Sequence, residues 1–579
     1  MDALTQGILT GSRWILPILA VWILLRCVRS MLQESYEPEL WARLEFSDGS
    51  WADVRHWECI IGRGRGCDIV IPSEHVERTH AALIRSDKGQ WRLYDLNSEG
   101  GTAKGALRDE GDGLDIQEGD IVFFADVGAV FHPLDEAQLL ENGGHRSVPG
   151  QFISPAVSLL ALTVFQTLLA LQHSALSEQG SAVSIALSFA VLCLIQWGCY
   201  FLIRALDRSG FEVETLAFFL CTLGLSVTVS SAPGQLARQL LFLVAGVVLF
   251  LFLGWWLRSL GRSKALRWPL ALAALGLLAL NLVAGTTSYG ASNWLQIGGF
   301  SLQPSEFVKV AYVYVGAASL DRLYRGRNLF LFIAFSAVCV GALALMGDFG
   351  TALIFFATFL IISFMRSGSF ATVFLAVAGA ALAGLLVLTV KPYIAQRFAA
   401  WGHVWDDPYG AGWQQTRALA AAASGGLLGV GAGRGWLQRI FAADTDMVFC
   451  LVSEELGLIV ALCAMLALIA IALFAVRTAA GGRSSYYVIA ACAASAMMLV
   501  QLALNVFGST DILPFTGVTF PFVSRGGSSL ISCWMLLAFL KAADTRQNAS
   551  FSVRLSVKGM NPMEDDEAIW ADEEEAEEP

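Results

Sequence analysis

Charge is what this 579-residue chain has least of. Asp, Glu, Lys and Arg together make 15% of it, against 55% hydrophobic residues and a mean hydropathy of +0.59. Soluble domains carry nearer a quarter charged residues, so a freely soluble protein is excluded and an integral membrane protein is implied. Basic charge is scarcer still: the formal net charge is −11, which argues against a nucleic-acid partner. Ten acidic residues between Glu564 and Glu578 nearly account for that imbalance. The tail, 546–579, therefore reads as a disordered, solvated end, or as a docking segment for a partner. The eleven cysteines are scattered, mostly inside apolar runs, with no CxxC pair and no His-rich spacing. Nothing there suggests a disulfide framework or a protein-built metal site, and the cysteines read as packing residues. The start of the chain does not read as a cleavable leader either. The first apolar run, Ile8 to about Leu25, has Arg26 and Arg29 after it rather than before it, so residues 8–30 read as a retained membrane helix whose C-terminal end is cytoplasmic.

What the chain has in abundance is apolar runs. They lie at about 153–172, 181–203, 212–230, 238–257, 267–285, 303–320, 329–346, 350–366, 369–390, 447–475, 485–508 and 526–543. Each is long enough, or nearly so, to cross roughly 30 Å of hydrocarbon as a helix. With the N-terminal helix they predict a polytopic α-helical membrane protein of about thirteen spans. Arg258, Arg262, Lys264 and Arg267, then Arg322, Arg325 and Arg327, Arg366, Arg477 and Arg483 all fall in connections on one side, which the positive-inside rule makes cytoplasmic. The acidic tail is then cytoplasmic too. The long segment from Lys391 to Asp446, rich in Trp, Gly and Asp, lies outside, where a membrane enzyme would meet its substrate.

Residues 38–135 differ from the rest. Short alternating runs such as Ala42-Arg43-Leu44-Glu45-Phe46 and Trp91-Arg92-Leu93-Tyr94 are separated by Gly and Asp clusters, which predicts an all-β sandwich on the cytoplasmic side, tied on by a linker at 136–150. Gly62-Arg63, Glu77-Arg78-Thr79-His80-Ala81 and Asp95 to Thr102, in that order, resemble a forkhead-associated (FHA) domain. The resemblance implies a module that binds a cytoplasmic protein, phosphorylated on threonine in the family's usual case, with Arg63, Arg78 and Ser98 as ligand-loop candidates and His80 as a structural residue. Glu77 and Glu99 stand where the family has neutral residues beside the phosphate. Two carboxylates there repel a phosphate, which favours docking without phosphate dependence.

In the membrane part, Ser292-Asn293-Trp294 precedes Gln303-Pro304-Ser305-Glu306-Phe307-Val308-Lys309. Gly347-Asp348-Phe349-Gly350 follows, then Asp444-Thr445-Asp446 with Ser453-Glu454-Glu455-Leu456-Gly457, Thr516-Gly517, and Pro521 to Ser529. Five motifs in this order resemble the SEDS family of FtsW, RodA and SpoVE, across about 210–545, the ten-helix family core. The two helices within 151–205 are accessory. The resemblance implies polymerisation of lipid II into glycan strands at the outer face of the bacterial plasma membrane, beside a class B penicillin-binding protein that crosslinks them. A lipid II flippase and a catalytically silent scaffold are the rival readings.

That chemistry needs a base for the attacking sugar hydroxyl and positive charge for a leaving diphosphate. Asp446, at the mouth of a helix, matches the family's proposed catalytic aspartate; the alternative is an N-terminal helix cap or a carboxylate that compensates the helix dipole. Asp444, two residues away, would raise its pKa or help hold a divalent cation, Mg²⁺ or Mn²⁺. Glu306 and Lys309, one turn apart in a membrane helix, are either a structural ion pair or the wall of a substrate cavity. Arg397 and Arg525 are candidates for the diphosphate. Trp294, Gln303, Ser305 and Ser528 complete the expected substrate site. Asp348 reads equally as a cap and as a catalytic group. The glycines of Ser424 to Gly433 read as tight turns or as a phosphate nest. The tryptophans of the outer segment read as interfacial anchors or as sugar platforms.

Overall fold

The structure, a computed structural model, describes residues 3–33, 40–135 apart from 66, 87, 88 and 110, 138–139, 153–320 apart from 178, 207–209, 289, 290 and 299, 326–390 apart from 368 and 369, and 401–544 apart from 480, 481 and 483. Arg397, the acidic tail and nearly all of the expected linker lie outside these residues.

Helix α1 (Ala3–Gln33) is followed by eleven short strands: β1 (Ala42–Phe46), β2 (Trp51–Val54), β3 (Glu58–Gly62), β4 (Ile69–Val70), β5 (Ala81–Arg85), β6 (Trp91–Asp95), β7 (Thr102–Lys104), β8 (Leu107–Arg108), β9 (Leu114–Ile116), β10 (Ile121–Phe124) and β11 (Val127–Pro133). They form two sheets, ordered β2-β1-β11-β10-β7-β8 and β4-β3-β5-β6-β9. Alternation along the strands turns Leu44, Leu83, Leu93, Phe124 and Phe131 inward, where all are buried. Trp91 meets Phe131 edge-on at 5.4 Å. This is the expected sandwich, closed by side chains of period two.

The bundle comprises α2 (Pro155–Leu176), α3 (Gln179–Ala205), α4 (Glu212–Ser231), α5 (Leu236–Trp256), the short α6 (Leu260–Ala265) and α7 (Arg267–Ala284). A small sheet of β12 (Thr286–Ser288), β13 (Ala291–Ile297) and β14 (Phe300–Leu302) comes next. Then follow α8 (Pro304–Leu320), α9 (Gly326–Leu345), α10 (Phe349–Ser367), α11 (Phe370–Val390), α12 (Trp413–Gly425), α13 (Val448–Leu456), α14 (Leu458–Ala479), α15 (Ser485–Ser509) and α16 (Gly527–Ala543). Among the described residues nine helices are long and apolar enough to cross a membrane, with shorter apolar helices at Phe349–Met365 and Gly527–Ala543. Helix is the form that satisfies every backbone N–H without water. Outward residues such as Val283 (87% exposed), Leu194 and Phe374 present an apolar surface that suits lipid. The protein is a membrane protein.

The thirteen apolar runs fall on helices, with one correction. The run at 447–475 is not a single span: α13 and α14 are separate helices broken at Gly457, whose φ is +94°. A Cβ there would stand 2.3 Å from Leu427 O. The loop at Leu427 therefore crosses directly over the break, a contact between distant segments that a hydropathy window averages away.

The sandwich is docked on the bundle through a buried carboxylate. Glu58 of β3 accepts from Ser484 Oγ at 2.8 and 2.9 Å and from Ser485 N at 2.7 Å, and pairs with Lys264 at 3.5 Å. His56 Nδ1 donates to Gly482 O at 2.6 Å. Glu58 thus sits on the N-terminus of α15, where unpaired N–H groups and the helix dipole favour an anion. The other end of α15, some 30 Å away at 1.5 Å per residue, reaches the Asp446 segment through Asn505. The sandwich and that segment therefore occupy opposite faces of the bundle.

Candidate functional site

One cavity of about 920 Å³ opens between α8, α10, α12 and the segments 441–446 and 513–529. Its wall carries Trp294, Gln303, Glu306, Lys309, Asp348, Asp446, Arg525 and Ser528, residues separated by up to 234 positions in the chain. Ser305 is fully buried, its Oγ has no partner, and it is not among the residues of the wall.

Asp446 is held by its backbone. Its N–H donates to Ala442 O at 2.9 Å. Asn505 Nδ2 reaches Asp446 O at 3.1 Å and Val518 O at 2.7 Å, stitching the aspartate's segment to the one before α16. Ser524 Oγ donates to Thr445 O and accepts from Phe520 N. Gly517 packs against the carboxylate: its φ is +68°, and a Cβ there would lie 3.2 Å from Asp446 Oδ2. The N-cap of α13 is Met447, with no side-chain cap bond.

Asp444 turns away from Asp446. It is buried, it accepts from Ser231 Oγ at 3.1 Å, and it forms an ion pair with Arg525 Nε. Arg525 N also donates to Asp444 O at 2.8 Å. Asp444 and Arg525, read separately in the sequence, therefore neutralise each other and lock the start of α16 to the Asp446 segment.

Glu306 and Lys309 are paired at 2.7 Å and buried, and both reach the cavity wall. The pair is therefore structural and cavity-lining at once. Lys309 Nζ donates to Gln501 Oε1 at 2.9 Å, Gln501 Nε2 to Thr519 Oγ1 at 2.8 Å, and Thr519 Oγ1 lies 3.0 Å from Ser529 Oγ. Ser532 Oγ contacts Glu306 Oε2 at 2.6 Å and Ser529 O at 2.9 Å. This ring gives each member of the buried ion pair a hydrogen-bond partner besides the other, which is what makes such a pair tolerable.

Asp348 is a cap. Its Oδ1 accepts from Thr351 N at 3.1 Å, while Oδ2 accepts from Asn293 Nδ2 and Gln303 Nε2, both at 3.2 Å. These bonds tie the β13 strand and the start of α8 to α10. The strands of 286–302 are invisible as an apolar run, yet they carry Asn293 and Trp294 to the cavity.

The glycine-rich turn is braced from within. Gly433 N donates to Glu455, while Trp436 N and Leu437 N donate to Glu454, at 2.9–3.0 Å. Those N–H groups are turned to internal carboxylates rather than presented to a phosphate. The accessory helices hold the same turn: Arg13 of α1 donates to Gly429 O, and Gln172 of α2 accepts from Ala432 N. Trp294, Trp401 and Trp413 line the cavity, whereas Trp405 does not. Gln501, Asn505, Thr519, Ser231 and Ser532 were not anticipated. Gln501 and Asn505 had a signal, two amides one turn apart in an apolar run.

On the sandwich, Ser98 Oγ is turned inward to Asp95 at 2.6 Å and to His80 Nε2 at 3.2 Å. His80 is wholly buried and accepts from Glu77 N, a structural role. Glu77 Oε1 accepts from Glu99 N at 2.7 Å, and Arg63 and Arg78 are exposed on the same loops.

Comparison with known proteins places these features in context. Residues 216–549 match the family described as cell cycle protein, FtsW/RodA/SpoVE, and residues 59–125 match the FHA domain. The chain is 31% identical over 323 residues to the peptidoglycan glycosyltransferase RodA of Mycobacterium tuberculosis, spanning 52% of this chain and 69% of the relative. It is also 31% identical over 320 residues to the stage V sporulation protein E of Bacillus subtilis, 52% of this chain and 85% of the relative. A chain of a peptidoglycan synthase complex, solved to show how polymerization and crosslinking are coordinated, superposes with a TM-score of 0.50 at 26% identity, covering 58% of this chain and 97% of that one.

Proposed function

Because this chain belongs to the FtsW/RodA/SpoVE family and carries an FHA domain, we propose that it is a peptidoglycan glycosyltransferase polymerising lipid II at the outer face of the bacterial plasma membrane, in division, elongation or sporulation. The observation that carries this reading is Asp446: an aspartate in the wall of a 920 Å³ cavity, fixed through its backbone by Asn505.

In the reaction the 4-hydroxyl of one sugar attacks the anomeric carbon of another. The new C–O bond forms as the bond to the lipid diphosphate breaks, and the electron pair leaves on the diphosphate. Asp446 takes the hydroxyl proton. A single displacement inverts the anomeric centre. The Glu306–Lys309 ring holds the cavity floor in one geometry, so the acceptor and donor meet pre-oriented. Among the described residues no three His, Cys, Asp or Glu side chains gather to chelate a metal, and Asp444 is paired with Arg525. A divalent cation, Mg²⁺ or Mn²⁺, would therefore be held by the substrate diphosphate with Asp446, and it would supply charge to the leaving group.

With Asp446 read as facing outside, the sandwich, on the opposite face of the bundle, would lie in the cytoplasm, and the acidic tail is read there as well. There the sandwich would dock a cytoplasmic protein on the loops of Arg63 and Arg78, while a class B penicillin-binding protein would crosslink the strands outside. The test is polymerisation of purified lipid II by the full chain co-expressed with a candidate class B penicillin-binding protein, with and without EDTA, against Asp446→Ala. Strands from the parent alone support the reading. Strands from both remove Asp446 from its role. No strands from either, with folded protein and bound partner, favour a scaffold or a flippase. Loss of activity in EDTA that Mg²⁺ restores identifies the cation.

A further inference from the structure

The cavity has a charge problem. Three carboxylates (Glu306, Asp348 and Asp446) and two cations (Lys309 and Arg525) line it among the described residues. Both cations are already paired with carboxylates, Lys309 with Glu306 and Arg525 with Asp444. A diphosphate entering such a site meets net negative charge and no uncommitted cation. A group that answers this lies at the rim, on α12.

Arg417 stands one helical turn after Trp413. Its guanidinium carbon is 4.2 Å from the Trp413 ring centroid and 5.6 Å from that of Tyr409. The two rings are 6.4 Å apart. Trp413 itself lines the cavity, beside Gly410 and Gln414. Arg417 is half-buried, and among the described residues these two rings are its side-chain partners; no carboxylate pairs with it. Stacking holds the guanidinium by its face and leaves the N–H donors at its edge uncommitted. A planar fork, held in place with free donors, is the geometry that phosphate oxygens accept from bidentately. Among the described residues no aromatic ring lies under Arg434 or Arg439, the other arginines described on the outer segment.

We propose that Arg417 binds the diphosphate of the lipid-linked donor at the mouth of the cavity, with Trp413 and Tyr409 as the aromatic seat that orients its guanidinium. The proposal rests on the reading that the substrate is a lipid-linked diphosphate sugar. It makes Arg417 a substrate contact and leaves Arg525 as the partner of Asp444.

The test is binding of farnesyl diphosphate and of farnesol to the full chain in vesicles, for the parent, Arg417→Lys and Arg417→Gln, at two contents of phosphatidylglycerol. Lipid II polymerisation is followed in parallel. Arg417→Gln should weaken farnesyl diphosphate about tenfold and leave farnesol unchanged, with Arg417→Lys between the two, since a point charge replaces a fork. Equal diphosphate affinity in parent and Arg417→Gln overturns the proposal. So does a parallel loss for farnesol, which would mean a damaged fold. So does an effect that follows phosphatidylglycerol content instead of diphosphate, which would assign the guanidinium to the bilayer surface. If diphosphate binding depends on Arg417 while the parent makes no strands, this inference stands and the polymerase reading fails.

Discussion

Replacing Asp444 by Asn tests whether Arg525 serves the substrate or the scaffold. Asp444 Oδ2 accepts from both Arg525 Nε and Ser231 Oγ, and the two side chains of the ion pair are 10% and 29% exposed. A hydrogen bond to a charged group in such a place contributes about 1.5–3 kcal/mol. Asn keeps the shape and one acceptor but loses the charge, so the single variant should lose about 1–2 kcal/mol. Arg525→Gln should lose a similar amount, because it leaves Asp444 buried with Ser231 alone. If the two residues act through each other, the double variant should fall short of the sum by about 1 kcal/mol or more. Thermal unfolding in detergent measures the cycle, with lipid II polymerisation beside it. Since the pair ties the start of α16 to the Asp446 segment, activity should fall to a similar degree in both single variants. Additive losses of stability, or abolished polymerisation in Arg525→Gln with full activity in Asp444→Asn, would refute this account and return Arg525 to the diphosphate.

Other perturbations probe the parts around this pair. Lys309→Met should destabilise by about 3–5 kcal/mol, because Glu306 is left buried without its partner, and Glu306→Gln added to it should recover much of the loss in thermal unfolding. Gly517→Ala should cost about 1 kcal/mol for its positive φ. It should also cut kcat roughly tenfold by pushing the Asp446 carboxylate from its place, with KM little changed; an unchanged kcat would show that the carboxylate's position there is not critical. Glu58→Gln should loosen the sandwich from α15 at a cost of about 1–2 kcal/mol, seen as faster protease cleavage between the sandwich and the bundle; identical cleavage would mean that Glu58 does not hold the interface.

Some of this was legible in one dimension because its signals are local. Apolar runs long enough to cross a bilayer mark helices wherever they occur, and alternation over four or five residues marks the sandwich strands. Glu306 and Lys309 are three residues apart, so their pairing follows from helical periodicity. Asp446 was legible as a candidate through its motif. Other features carried no local mark. The strands of 286–302 are too short and mixed to stand out, and the break at Gly457 exists because Leu427 crosses there.

The sequence by itself therefore determined the membrane class, the β-sandwich with its FHA signature, the family motifs and the list of charged residues a cavity could use. Only the tertiary structure decided which of those charges remain available. Asp444 and Arg525 are 81 positions apart, and only folding brings them together, cancelling a cation that the sequence left open for substrate. Arg417, with no motif to mark it, keeps its donors because Trp413 and Tyr409 hold it by its face while no carboxylate among the described residues pairs with it. Charge is written in the chain residue by residue, but its partners are set by long-range packing, and whether a buried ion can act on a ligand depends on its partners.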